Sequence, residues 1–171
     1  ETILVILCQV PPGFTRKVNR PFGKLYYQVE TLIFGRAIER ATLPERIILG
    51  CSDERHFIEK NLNNFLKSFN CPIIPMIYES AELAKTAINI VLASQVSVAN
   101  SLAEICEKFE GDWNEIIPAL NLDKRIGHYA YLNPGLGISG GNIERDLTTL
   151  SEISSEHNAN NIFFNVNRLH K

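Results

Sequence analysis

Between Ser80 and Phe109 the chain runs without a glycine or a proline, and alanine and leucine recur throughout. No other feature limits the fold so strongly. Gly111 stands where a left-handed cap would stop a helix, and at 1.5 Å per residue a helix over this stretch is about 45 Å long. In a chain of 171 residues an element of that length runs through a domain core or along a subunit interface. The sequence before it has a different texture. Residues 2–10 (TILVILCQV) form a continuous run rich in β-branched side chains, ended by Pro11-Pro12-Gly13, as expected of a strand buried on both faces of a parallel sheet. Residues 25–29 and 46–51 are further short apolar runs, separated by a mixed segment at 37–41. Ser52-Asp53 can cap a helix over 54–69, where Phe57, Ile58, Leu62, Phe65 and Leu66 recur at helical spacing, and 72–77 supplies another strand. The expected fold class is α/β followed by all-α, with the boundary near Glu79 separating residues 1–79 from a helical part at 80–171.

Beyond the long helix the sequence predicts a short helix over 112–120, a glycine-rich loop at 133–141, a helix starting at Asn142 and running to Ser154, and a polar link into 160–169. Trp113, Phe57, Phe65 and Phe109 sit at helical spacings and are core candidates. His56, His128, His157 and His170 are scattered among polar neighbours and are expected at the surface.

Seventeen basic and nineteen acidic residues are interspersed, for a net charge of −2. No single-sign surface is expected, so neither nucleic acid nor membrane is suggested as a partner. The apolar stretch at 87–99 is broken by Asn89, Ser94, Gln95 and Ser97, short of the roughly 20 clean residues a membrane helix requires. Cys8, Cys51, Cys71 and Cys106 show no CxxC or Cys/His spacing, so no metal site is expected and a reducing cytoplasm fits best. Glu1 opens directly onto an apolar strand, and the chain is expected to be part of something longer.

Gly135-Leu136-Gly137-Ile138-Ser139-Gly140 matches G-x-G-x-x-G, the pattern of a dinucleotide phosphate loop. The context disagrees: such a loop leaves a buried strand and is followed about 20 residues later by an acid, whereas residues 129–134 precede it and 159–161 hold no acid. Two readings stay open, a plain glycine turn and a loop whose bare backbone comes close to a ligand.

At this loop a resemblance becomes specific. Residues 122–127 (LDKRIG) followed by 132–146 (LNPGLGISGGNIERD) resemble the D-x-RIG and LNPGxGxGGSCFPKD runs of the UDP-glucose/GDP-mannose dehydrogenase family. Residues 10–16 (VPPGFTR) are similar to its VPPGTTR turn, 44–50 (PERIILG) to its PxRIxxG strand, and 80–89 (SAELAKTAIN) to its TAELxKxxxN helix. The resemblance implies that residues 1–79 are the last strands and helices of a Rossmann-like NAD-binding domain, and that 80–171 are the helical central domain through which family members dimerise. It also implies NAD as cofactor, although the family's phosphate loop has no counterpart in this sequence, and a UDP-sugar as substrate, oxidised twice through a thiohemiacetal on a cysteine.

Residue by residue, the resemblance departs from the family at the chemistry. The cysteine position holds Asn142, and an amide has no nucleophile comparable to a thiolate. Cys106, the nearest thiol in sequence, has a structural reading. Lys85 and Asn89, four apart on one helix face, match the family residues that hold a developing oxyanion or its water; on their own they are an exposed lysine beside a helix-face amide. Asp146 matches the acid behind the cysteine, and alone is an acid in the first turn of a helix. Arg125 matches the arginine offered to a partner subunit's substrate, and alone is a loop cation. Gly137, Gly140 and Gly141 match the substrate loop. Glu30 matches the first acid of PEFLxEG, with Phe34 in place of the second, while Gln9 replaces the threonine of STVPPG; Gln9 and Pro11 are the expected cofactor contacts. The implied function is a fragment of a nucleotide-sugar dehydrogenase-like protein with impaired catalysis, the alternative being a non-catalytic dimerisation or sugar-nucleotide-binding scaffold.

Overall fold

The structure is a computed structural model describing residues 2–32, 35–135 and 141–159, the backbone alone at 141 and 142. The chain forms two compact units, Glu1–Ala87 and Ile88–Lys171. The division falls within the long helix, past the position near Glu79 where the texture of the sequence changes.

The first unit is built on a four-stranded sheet in the order β1 (Leu4–Ile6), β2 (Leu25–Gln28), β3 (Ile47–Cys51), β4 (Ile73–Ile77). β1 and β2 run parallel, β2 and β3 antiparallel, and β3 and β4 parallel again, with Leu4 opposite Leu25, Tyr27 opposite Gly50 and Ile47 opposite Ile73. The sheet is therefore mixed rather than parallel throughout. β3 is buried at all five positions, as a central strand covered on both faces must be. β1 is shorter than the 2–10 run and only half-buried, because it lies at one end of the sheet with a single neighbour among the described strands.

Helix α1 (Ala37–Thr42) occupies the mixed segment, and α2 spans Lys60–Lys67. The expected cap at Ser52-Asp53 does not form. The backbone at His56 is left-handed, with φ 53°, which breaks any helix there, and the half-buried Glu59 caps α2 instead, its carboxylate accepting from Asn61 N–H at 2.7 Å and Leu62 N–H at 3.3 Å. A buried hydroxyl explains the later start: Tyr26 is 1% exposed and its Oη accepts the Glu59 N–H at 2.8 Å. α2 buries Leu62 and Leu66 against Tyr26, Ile47, Leu49 and Cys51, the i and i+4 positions of one face. Phe65 therefore points outward, and Phe57 stacks on Phe22 at 5.3 Å while remaining exposed; neither is the core residue that its spacing predicts.

Helix α3 runs from Tyr78 to Lys108 over 31 residues. Within the first unit it approaches the sheet at Gly50, where a Cβ would lie 3.0 Å from Ala81 Cβ and 3.1 Å from Tyr27 Cβ. Glycine there is required by close packing. The same end of α3 holds the turn after β1. Glu82 is fully buried, and its two carboxylate oxygens accept from Gly13 N–H at 2.6 Å and Thr15 N–H at 2.7 Å. Arg16 forks onto both oxygens of Glu79 at 2.8 Å, donates to the Ser52 carbonyl and lies over the Tyr78 ring.

In the second unit α3 buries Ile90 against Leu147 and Leu150 of α5 (Gly141–Glu156), and Ala99 and Ala103 against Trp113 of α4 (Trp113–Leu122). Asp112 caps α4 by accepting from Asn114 N–H at 2.8 Å. Trp113 is a core residue as expected, whereas Phe109 is 83% exposed. Ser94, Ser97 and Ser101 donate to the carbonyls four residues earlier, so their hydroxyls are satisfied inside the helix. By length and composition α3 is long and apolar enough to cross a membrane, with mean hydropathy 1.3 over its best window; the expectation that its polar residues rule this out fails because serines offset isoleucine and valine only weakly. A third of that window is buried in the fold, and a core helix of this length meets the same test.

The end of α3 differs from expectation in one detail. The left-handed residue is Glu110, with φ 60°, and not Gly111. Gly111 N–H donates to the Cys106 carbonyl and Glu110 N–H to that of Glu107, the paired bonds of a Schellman motif. A Cβ at Gly111 would stand 2.8 Å from Cys106 Sγ, so any larger residue there requires the thiol to move.

Two predictions follow from these contacts. Glu110→Gly relieves a left-handed L-residue and is expected to raise stability by about 0.5–1 kcal/mol; a lower urea midpoint would show that this cap is not strained. Glu82→Leu strips two turn amides of a charged acceptor and is expected to cost about 3 kcal/mol. Glu82→Gln keeps one acceptor oxygen and should cost about half as much, so equal losses in the two variants would refute the clamp.

Candidate functional site

The structure brings Asn89 and Asp146 together. Asn89 Nδ2 on α3 donates to Asp146 Oδ2 on α5 at 2.7 Å. Asp146 is 3% exposed, so this hydrogen bond is sheltered from water, where a polar contact to a carboxylate gains strength. α5 is held there by apolar packing of Ile90, next to Asn89, against Leu147 and Leu150, which follow Asp146. An amide donor fixed on a buried carboxylate can hold a water or a polarised oxygen in a defined direction.

Lys85 lies one turn before Asn89 on α3 and is half-buried. Asn142 is the second residue of α5, one turn before Asp146; its side chain lies outside the described residues, as do Gly137 and Gly140. Gly141 is the first residue of α5. Arg125 is exposed at 88% of its side chain and forks onto Asp123 at 2.6 and 3.0 Å. The Arg125 guanidinium holds the Asp123 carboxyl below the ordinary carboxylate range. Glu30 is exposed, and Phe34, which stands in place of the segment's second acid, lies outside the described residues. Gln9 is half-buried and Pro11 exposed in the segment that follows β1.

The other thiols have different surroundings. Cys106 packs in the cluster of Ala99, Ala103 and Trp113. Cys51 is buried in the sheet, and burial pushes its thiol up to about 11, which leaves it protonated and unreactive at neutral pH. Cys8 is exposed, and all four cysteines are free. Among the described residues no group of three or more His, Cys, Asp or Glu side chains could hold a metal ion.

The sequence reasoning passed over Glu82. It sits three residues before Lys85 in the same SAELAK run, and an acid on a helix side that also carries Ala81, Thr86 and Ile90, all buried, is the signal that could have found it. Its position also decides whether these residues fit NAD. A pyrophosphate needs outward-facing backbone N–H groups at a strand-to-helix turn. At the turn after β1 the Gly13 and Thr15 N–H groups already donate to Glu82, whose negative charge would repel phosphate. This turn does not fit the pyrophosphate, and only Gln9 and Pro11 remain as contacts that the resemblance assigns to the cofactor.

Comparison with known proteins gives a consistent answer. UDP-glucose 6-dehydrogenase YwqF of Bacillus subtilis is 33% identical over 163 residues, which are 90% of this chain and 36% of that protein. A UDP-glucose dehydrogenase from Pyrobaculum islandicum superposes with a TM-score of 0.80 at 27% identity, covering 98% of this chain and 40% of that one. UDP-D-ManNAc dehydrogenase from Pyrococcus horikoshii shares the fold with a TM-score of 0.77 at 21% identity, covering 98% of this chain and 41% of that one. The chain thus spans well under half the length of these relatives. The model of the UDP-glucose/GDP-mannose dehydrogenase family, central domain, matches residues 79–168, and the chain belongs to that family.

Proposed function

We propose that this chain is the part of a nucleotide-sugar dehydrogenase-like protein that carries its long helix and substrate loop, and that the protein's turnover is impaired because Asn142 occupies the position of the nucleophilic cysteine. The observation that supports this reading is the Asn89–Asp146 hydrogen bond at 2.7 Å, one helical turn from position 142, where the sequence has an amide. Such a site keeps its means of orienting water and polarising oxygen and loses its means of forming a covalent adduct. Lys85 supplies positive charge toward a developing alkoxide on a UDP-sugar. Arg125, on an exposed loop, is offered to the substrate of a second subunit. NAD is the oxidant in this proposal, contacted by Gln9 and Pro11, with its pyrophosphate held by residues other than the turn after β1. Four free cysteines fit a reducing compartment, and we assign the protein to the cytoplasm.

A second reading has its own support. Val91, Val98, Leu102 and Ile105 of α3 are all exposed, and their spacings of seven, four and three residues follow the 3.5-residue period of a helix seam. Val91, Val98 and Leu102 also line a groove of about 450 Å³ with Ile126 and Leu132. A stripe of this kind favours a scaffold that pairs with a second copy through α3.

Hydride counting separates the first reading from full activity. The natural protein incubated with UDP-glucose and NAD is expected to form at most one NADH per sugar, and Asn142→Cys to raise that yield; two NADH per sugar from the unaltered protein would show that a thiol is not needed. For the scaffold, light scattering at tens of micromolar is expected to give a dimer mass that Val98→Asp returns to that of a monomer. A monomer mass for the unaltered protein would rule the scaffold out.

A further inference from the structure

Residues 131–135 belong to no helix or strand, so their backbone polar groups must find partners elsewhere. Three do so on side chains. Tyr131 N–H donates to Gln95 Oε1 at 3.1 Å, Gly135 N–H donates to Asn100 Oδ1 at 2.9 Å, and Trp113 Nε1–H donates to the Leu132 carbonyl at 2.8 Å. Gln95 and Asn100 lie on α3, and Trp113 is fixed by its packing on Ala99 and Ala103. Six residues after Gly135, α5 begins, tied to α3 through Asn89 and Ile90. The backbone on both sides of the glycine-rich run is thus referred to one rigid helix, at Asn100 and at Asn89, about 16 Å apart along its axis.

We propose that Gln95, Asn100 and Trp113 are positioning residues that strap 131–135 onto α3, and so set where this segment meets a phosphate-bearing sugar nucleotide. The inference rests on the nucleotide-sugar reading for its ligand, and on α3 alone for its geometry. None of the three touches the reacting atoms; each acts through the backbone it holds. A side chain that accepts at position 100 is what the strap needs, and aspartate offers the same oxygen as asparagine.

The test compares the unaltered protein with Asn100→Leu and Asn100→Asp by amide hydrogen exchange and by calorimetric titration with UDP-glucose. Asn100→Leu is expected to speed exchange at Gly135 about fivefold and to weaken UDP-glucose binding by a similar factor, the scale of one net hydrogen bond. Asn100→Asp is expected to retain both, which a loss of general packing would not allow. Unchanged exchange at Gly135 in Asn100→Leu overturns the strap. Faster exchange with unchanged affinity overturns its role toward the ligand. If the unaltered protein binds no UDP-glucose, the nucleotide-sugar reading fails, and exchange at Gly135 alone decides whether the strap exists.

Discussion

The unbroken backbone of α3 from Tyr78 to Lys108 is the constraint on which the other elements depend. Its first turns receive the sheet at Gly50 and the turn after β1 at Glu82. Further along, Asn89 and Ile90 receive α5, Gln95 and Asn100 the segment before it, and Ala99 and Ala103 receive α4. Side chains three and four apart on a helix share a face, so within each unit one attachment sets the spacing of the next. A proline in the interior of this helix, beyond its first turn, would remove a hydrogen bond and kink it.

Polar chemistry on α3 is distributed in two ways that its apolar composition conceals. The serines turn inward onto their own helix carbonyls, which leaves them inert. Glu82, Asn89, Gln95 and Asn100 reach other segments, and every one of them contacts a backbone amide or a buried carboxylate. These polar side chains therefore act as a set of directed hydrogen bonds, of which Asn89 to Asp146 is the one that joins two helices.

Much of this was legible in the sequence. The long helix followed from the absence of glycine and proline, and the strands at 25–28, 47–51 and 73–77 from short apolar runs. Asn89 and Asp146, 57 residues apart in sequence, were each singled out by resemblance without being paired, and a hydrogen bond joins them. What escaped is tertiary. Ser52-Asp53 is a sound local cap, but the buried hydroxyl of Tyr26 claims the Glu59 amide and moves the helix start to Lys60. Periodicity identified Phe65 as a helix residue without saying which side of the helix meets a neighbour, and Phe109 falls just past the end of α3. Gly111 has the residue type of a left-handed cap, yet it packs close to Cys106, and Glu110 takes the strained angle. The glycines at 137 and 140 lie outside the described residues.

Arg16 joins three stretches of chain that lie far apart in sequence, binding Glu79, the Ser52 carbonyl and the Tyr78 ring at once. These partners meet only after the sheet has assembled, because β3 and β4 must be paired before the ends they carry are neighbours. A contact that closes so late adds little to the speed of assembly and acts on the barrier to disassembly. The guanidinium is a latch on the finished first unit, and its influence is felt in how long that unit survives between openings.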